Sequence, residues 1–314
     1  MSSRLGYRSA AMLLACAALA ATFLAPQAPF RRATFRLLVT LDITQSMNTA
    51  DYRVGSAMVS RLDYAKAALR NTLLRLPCGS HVGWGVFSEY RTLVLLTPVE
   101  VCANFDDLAA VLERIDGTMA WAGASEVAKG LHSGIRAARE LGADTRLVFV
   151  SDGHEAPPLH PRYLPRFDGR PGEVQGLILG TGAAALSPIP KFDADGRSLG
   201  FWGADEVMQT DVYSRGRASS VAGEAMLGAD ADPAAGRSAT EHLSSLKETH
   251  LQQLAAATGL SYRRLDRPDA PWDAARQAGL AQDTAVMADL RFVPATAALL
   301  LLVLPFLLRR KRNQ

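Results

Sequence analysis

Apolar positions along this chain repeat with two periods, and the alternation between the two predicts its architecture. Residues 36–41, 146–150 and 174–179 are short, nearly continuous apolar runs bounded by turn residues, the pattern of strands buried on both faces of a parallel sheet. Residues 82–87 and 92–96, joined by Ser88-Glu89-Tyr90-Arg91, read as an antiparallel hairpin. Helical spacing takes over from Ser60, where Leu62, Ala65, Leu69, Leu73 and Leu76 share a face, Ser60 and Asp63 form a box-like cap, and Pro77 ends the run. Residues 106–115 turn Leu108, Val111 and Leu112 inward, and 125–141 carry Val127, Leu131, Ile135 and Ala138 up to Gly142. A helix over 246–258 closes at Gly259 before a last strand over 260–265.

Strands that alternate with helices predict an α/β fold, a doubly wound, Rossmann-like and mostly parallel sheet with one antiparallel edge hairpin. The remainder reads as connections. Residues 30–35 are a linker, 51–60 a loop, and the Pro-rich 154–170 a long loop beside the strand ends. Residues 189–202 read as an inserted hairpin, and 213–240 as an excursion with few large apolar side chains. A helix over 272–285 leads to the C-terminal end. The predicted organisation is therefore 1–29, an N-terminal anchor or signal peptide; 30–268, the α/β domain with insertions at 183–205 and 213–243; 269–289, a helical linker; 290–308, a transmembrane helix; and 309–314, a basic tail.

Charge is informative here only through its placement. The formal net charge is +3, but Arg4, Arg8, Arg31, Arg32, Arg309, Arg310, Lys311 and Arg312 lie in acid-free ends, so the residues between them are net acidic. That argues against nucleic-acid binding and for basic membrane flanks. Residues 293–308 are apolar and uncharged, and with Leu290 and Phe292 approach the ~20 residues that cross a bilayer, Arg291 snorkelling at one face. The run 10–25 is shorter; Ala18-Leu19-Ala20 fits a cleavage signal, and an uncleaved anchor and a signal peptide both remain open. The basic tail points to the cytoplasm, which puts 26–289 outside, in the periplasm of a Gram-negative cell with the chain held in the inner membrane.

Cysteine placement agrees with an oxidising compartment. Partners in an antiparallel hairpin share a constant index sum, about 180 for a turn centred near residue 90, and Cys78 with Cys102 meets it. A disulfide is predicted, with two independent buried thiols as the alternative.

Candidate chemistry collects at the ends of the predicted strands. The first strand runs into Asp42-Ile43-Thr44-Gln45-Ser46, the helix from residue 125 opens on Ser125, and the strand 146–150 delivers Ser151-Asp152-Gly153. Carboxylate and hydroxyl oxygens alone suit a hard dication; the alternative is that they cap the helices that follow. Thr118 rivals Ser125 as third donor, and Ser125 is preferred because it opens a helix.

The three-part order resembles that of the von Willebrand factor A family, whose metal-ion-dependent adhesion site uses D-x-S-x-S, then Thr, then Asp; Thr44 and Ser125 exchange hydroxyl for hydroxyl. The resemblance covers about residues 34–266. It implies that Asp42, Thr44, Ser46, Ser125 and Asp152 hold Mg²⁺, with Mn²⁺ or Ca²⁺ as alternatives, and that an acidic residue of a protein partner completes the site. The Ile189-Pro190, Asp193 to Gly196 and Gly200-Phe201-Trp202 features are similar to the bacterial membrane-anchored members encoded beside MoxR-type AAA ATPases. The stretches 76–80, 98–102 and 119–122 are similar to those of methanol-oxidation clusters. This implies a non-enzymatic role in assembling or maturing a periplasmic enzyme, such as a quinone-dependent methanol dehydrogenase, alongside other maturation proteins. A MoxR-type ATPase is implied as well, though the topology leaves only residues 309–314 within its reach. General envelope stress or aerotolerance is an alternative role, and an unrecognised hydrolase another.

Rival chemistries are weaker on the residues themselves. Ser151, Asp152 and His154 are too close in sequence for a relay that draws its members from separate segments. His154, Glu155 and His160 are separated by prolines, and Asp193 and Asp195 lack the downstream Glu of a calcium loop and fit a hairpin turn. Glu126 and Lys129 read as a solvated helix face.

Overall fold

The central strand forms at the run Leu37-Leu38-Val39-Thr40-Leu41, and the rest of the sheet is added to it in both directions. The structure is a computed structural model and describes residues 7–24, 26–159, 165–193, 195–209 and 240–312. In chain order its elements begin with α1 (Tyr7–Thr22), β1 (Gln27–Thr34), β2 (Arg36–Asp42), β3 (Tyr52–Val54), β4 (Ala57–Val59), α2 (Arg61–Leu73), β5 (His81–Ser88) and β6 (Arg91–Glu100). Next come α3 (Phe105–Arg114), α4 (Val127–Glu140), β7 (Arg146–Ser151), β8 (Gly176–Gly180), β9 (Ser187–Pro188), β10 (Pro190–Phe192) and β11 (Ser198–Phe201). The chain closes with β12 (Leu243–Ser244), α5 (Glu248–Thr258), β13 (Ser261–Arg264), α6 (Ala270–Gln277), β14 (Gln282–Asp289) and α7 (Phe292–Arg312). Two compact units result: Thr34–Gln282, and the two ends Met1–Ala33 with Asp283–Gln314.

In the larger unit six strands order as β13-β8-β7-β2-β5-β6, with only β6 antiparallel to its neighbour. Alternation along the strands splits the core in two. Leu37, Val39, Leu41, Trp84, Val86, Val148 and Val150 face α2, α3 and α6, while Leu38, Phe87, Leu147 and Phe149 face α4 and α5. Helices on both faces explain why these strands read as continuous apolar runs instead of alternating ones. Gly130 lets α4 approach the sheet, since a Cβ there would sit 2.0 Å from the Phe87 ring.

The α2 cap forms as the pattern predicts, the Ser60 hydroxyl accepting from the Asp63 amide. Cys78 and Cys102 are joined, their Cα atoms 5.3 Å apart. The hairpin above them pairs Ser88 with Arg91 and His81 with Glu100, register shifts near Trp84 absorbing the residues that a strict index sum would miss. The Glu100 carboxylate braces both cysteine loops, accepting from the amides of Gly79 at 2.7 Å and Ala103 at 2.6 Å. The inserted hairpin is β10 with β11, and Asp193 closes its turn by accepting from the amides of Asp195 and Arg197. Of the second insertion, residues 213–239 lie outside the described residues.

Three connections differ from the sequence reading. The loop 51–60 contains a short hairpin of β3 and β4. The linker 30–35 lies mostly within β1, which pairs with β14. The helical linker 269–289 is half helix and half strand: α6 belongs to the core through Ala270, Ala274 and Ala275, and β14 follows Gly279 with alternating burial. The Ala-rich stretch after Trp272 favours helix locally, and pairing with β1, far away in sequence, overrides it.

The apolar ends are helical, α1 with 16 residues and α7 with 21. Among the described residues no helix is long and apolar enough to cross a membrane. A 16-residue helix rises only ~24 Å, short of a hydrocarbon core of ~30 Å.

Candidate metal centre

The strand order reverses direction at β2: the chain moves from β2 to β5 on one side, then returns to β7 on the other. The crevice beyond the carboxyl ends of β2 and β7 is therefore the topological switch point, where open α/β sheets bind ligands. Asp42 ends β2 and Asp152 follows β7, so the two carboxylates meet at that crevice, both fully buried.

Asp42 is held by a tight turn. Its Oδ1 accepts from the Thr44 amide at 2.9 Å and the Thr44 hydroxyl at 2.6 Å, and its Oδ2 from the Ser151 hydroxyl at 2.6 Å. Thr44 and Ser46 bring their hydroxyl oxygens within 3.5 Å of each other. Neither serves as a helix cap. The 3-10 turn Gln45–Asn48 starts without a side-chain hydrogen bond from Thr44.

Ser125 also fails to cap. Helix α4 begins two residues later, at Val127, and its first amides are taken by the Glu155 carboxylate, from Val127 to Oε2 and Ala128 to Oε1, both at 2.9 Å. Ser125 is instead pinned by its backbone, pairing with Ala156 on one side and Glu89 on the other. Its hydroxyl is buried with no hydrogen-bond partner, in a residue 2% exposed. A buried unpartnered hydroxyl costs ~1–3 kcal/mol, a cost that a ligand in the adjoining cavity would offset. Thr118, the rival donor, is exposed and gives its hydroxyl to Asp116 at 2.5 Å.

Asp152 has a partner that the sequence did not reveal. Arg61, the first residue of α2, is a fully buried cation. It donates through Nη1 to Asp152 Oδ2 at 2.5 Å and to the Ser244 hydroxyl at 2.7 Å, and through Nε and Nη2 to Asp51 Oδ2 at 2.9 and 2.7 Å. Ser244 adds a bond to the same Asp152 oxygen at 3.1 Å. Asp51 and Ser244 were absent from the sequence-derived set because nothing local marks them; Asp51 opens the hairpin loop, Ser244 follows the second insertion. An arginine inside an otherwise apolar helical stripe, with Leu62 and Ala65 beside it, was the available signal.

The electrostatics divide the two carboxylates. Burial, then the charge of Asp152, push the Asp42 carboxyl up to about 7 against the pull of its hydrogen bonds. Burial also raises Asp152, but the Arg61 guanidinium and the hydrogen bonds outweigh it and hold that carboxyl below its ordinary value. Among its hydrogen-bond partners Asp42 has hydroxyls and an amide and no cation. Burial takes the adjacent His154 imidazole down to about 4, despite Asp152, so it supplies none.

Thr44, Ser46 and Ser125 open together onto a cavity of about 300 Å³. Ala156, Pro157, Ile189, Trp202, Val207 and Met208 give it apolar walls, and Glu206 and Glu241 add carboxylates. The inserted hairpin is tied to the site by the Trp202 indole, which donates to the Gln45 side chain. The all-oxygen donor set, the unpartnered Ser125 hydroxyl and the absence of a cation among the hydrogen-bond partners of Asp42 fit a hard dication.

The other candidate groupings are committed elsewhere. Ser151 gives its hydroxyl to Asp42, and His154 meets Asp152 through its backbone amide, so the three form no relay. Glu155 caps α4 and faces His250 Nε2 at 2.9 Å, while His160 lies outside the described residues. Lys129 pairs with Glu126 on the surface of α4.

Residues 37–154 of this chain match the model of the von Willebrand factor type A domain. Among solved structures, an aerotolerance-related membrane protein from Bacteroides fragilis is 18% identical over 78% of this chain and 98% of that chain, with a TM-score of 0.48. The PilB minor pilin from Streptococcus sanguinis is 12% identical over 78% of this chain and 60% of its own, with a TM-score of 0.41. A membrane-spanning protein from Vibrio fischeri is 13% identical over 77% and 96%, with a TM-score of 0.28. No curated protein matches the sequence.

Proposed function

We propose that this chain is a metal-ion-dependent protein-binding module. Asp42, Thr44, Ser46, Ser125 and Asp152 are the groups that would hold Mg²⁺, with Mn²⁺ or Ca²⁺ able to substitute. The ion would neutralise the paired carboxylates and offer a position to a carboxylate of a partner protein. One observation carries this reading: the buried Ser125 hydroxyl has no hydrogen-bond partner and is not used as a cap, on the same cavity as Thr44 and Ser46. A binding role is favoured over an enzymatic one because Ser151, the hydroxyl of the Ser151, Asp152 and His154 grouping, already donates to Asp42 and is not set against a base.

The basic C-terminal tail and the disulfide support an inner-membrane protein with its main domain in the periplasm. The motifs around 76–80, 98–102, 119–122 and 189–202 support a role in maturing a periplasmic enzyme, such as a quinone-dependent methanol dehydrogenase. The test is affinity purification with the tagged full-length chain in Mg²⁺, in EDTA, and as Asp42→Ala in Mg²⁺. A partner retained only by the first is expected. The same proteins retained in all three would overturn the reading.

A further inference from the structure

On the other flank of α4 lies a second cavity of about 680 Å³, bounded by the β5–β6 turn, the exposed side of α4 and the segment 165–168. Its charge is one-sided. Arg91, Lys129, Arg136 and Arg166 line it against a single carboxylate, Asp168. All four cations are exposed. Lys129 pairs with Glu126, and Arg91 lies over the Tyr90 ring at 4.6 Å, while Arg136 and Arg166 form no ion pair with a described residue. His132 adds no charge near neutral pH, because burial and Arg136 lower its pKa despite Asp168.

Spacing defines what fits. Lys129, His132, Ser133 and Arg136 fall at i, i+3, i+4 and i+7, one face of α4, and the first and last cations are separated by about 10 Å along the axis. Arg91 and Arg166 flank that row from two other segments. A compact phosphate needs donors that converge, and the nearest helix terminus is already closed by Glu155. Cations strung in a row suit an elongated anion, and about three residues of extended chain cover the distance. Nucleic acid, which engages roughly 6–10 phosphates in a stable complex, exceeds what four cations on a net acidic domain offer.

We propose that this groove binds an extended acidic segment of a protein partner, independently of any metal at Asp42. The probe is a fluorescent hexaglutamate peptide added to the full-length chain in EDTA, with inorganic phosphate and anionic phospholipid vesicles as competitors. Saturable binding is expected, weakened about tenfold by either double variant, Arg91→Glu with Arg136→Glu or Lys129→Glu with Arg166→Glu. Binding should be unchanged in Asp42→Ala, which separates this groove from the metal centre. Both double variants should melt with the parent chain, since their substitutions lie on exposed side chains. No binding, binding insensitive to the reversals, binding lost in Asp42→Ala, or full displacement by phosphate or by vesicles would each overturn the proposal.

Discussion

Asp42 and Asp152 face each other at the switch point, yet they hold their charges differently, and the difference is measurable. Without metal, the folded protein keeps a proton on Asp42 up to about pH 7, whereas an unfolded Asp loses its proton near 3.9. The folded state binds more protons between those values, so this group's contribution to stability is full below the lower value and falls as pH rises through 7. The proposed dication would replace that proton. The rise in melting temperature caused by Mg²⁺ should therefore be small near pH 5 and grow toward pH 8, measured by paired melts with and without the ion; a rise independent of pH would contradict it. Arg61→Ala leaves Asp51 and Asp152 buried without their cation and should cost about 3–5 kcal/mol by denaturant unfolding. Of these residues the sequence displayed Asp42, Thr44, Ser46, Ser125 and Asp152, because each follows a strand or precedes a helix that periodicity could find. Arg61, Asp51 and Ser244 were hidden, since their partnership is made by folding across distant segments.

At the level of elements, legibility followed period and length. Strands β2, β5, β7 and β8 are short apolar runs, and helices α2 and α3 are amphipathic with clear stops; all were visible to within a few residues. Helix α4 was visible, but its start was not, because the group that caps it, Glu155, comes from a loop 27 and 28 residues away. Strands β1 and β14 escaped because each needs the other, and neither carries a pattern strong enough alone. The close seat of α4 on the sheet makes a sharp prediction. Gly130→Ala drives a methyl group into the buried Phe87 ring and should destabilise by about 1–3 kcal/mol, while Gly123→Ala, with open space around it, should leave stability unchanged. Urea midpoints of the two variants provide the comparison.

For the molecule as a whole, the disulfide and the chain ends carry the predictions. Replacing Cys78 and Cys102 together by Ser frees a loop closed across a separation of 24 residues and should cost about 3 kcal/mol, read from the loss in unfolding free energy. A reporter active only outside the cytoplasm, fused after Asp289, should be active; an inactive fusion would reverse the proposed topology. The same topology confines contact with a MoxR-type ATPase to residues 309–314, and robust binding of that ATPase to a chain lacking this tail would contradict it.

The proposed binding role needs one ion at Asp42, and calorimetric titration of the protein with Mg²⁺, beside the same titration and a thermal melt of Asp42→Ala, is its test. Saturable binding by the parent chain is predicted, abolished in a variant that still melts cooperatively, since the apolar residues of β2 that hold the sheet are untouched. Equal Mg²⁺ binding by the parent and by Asp42→Ala would contradict it.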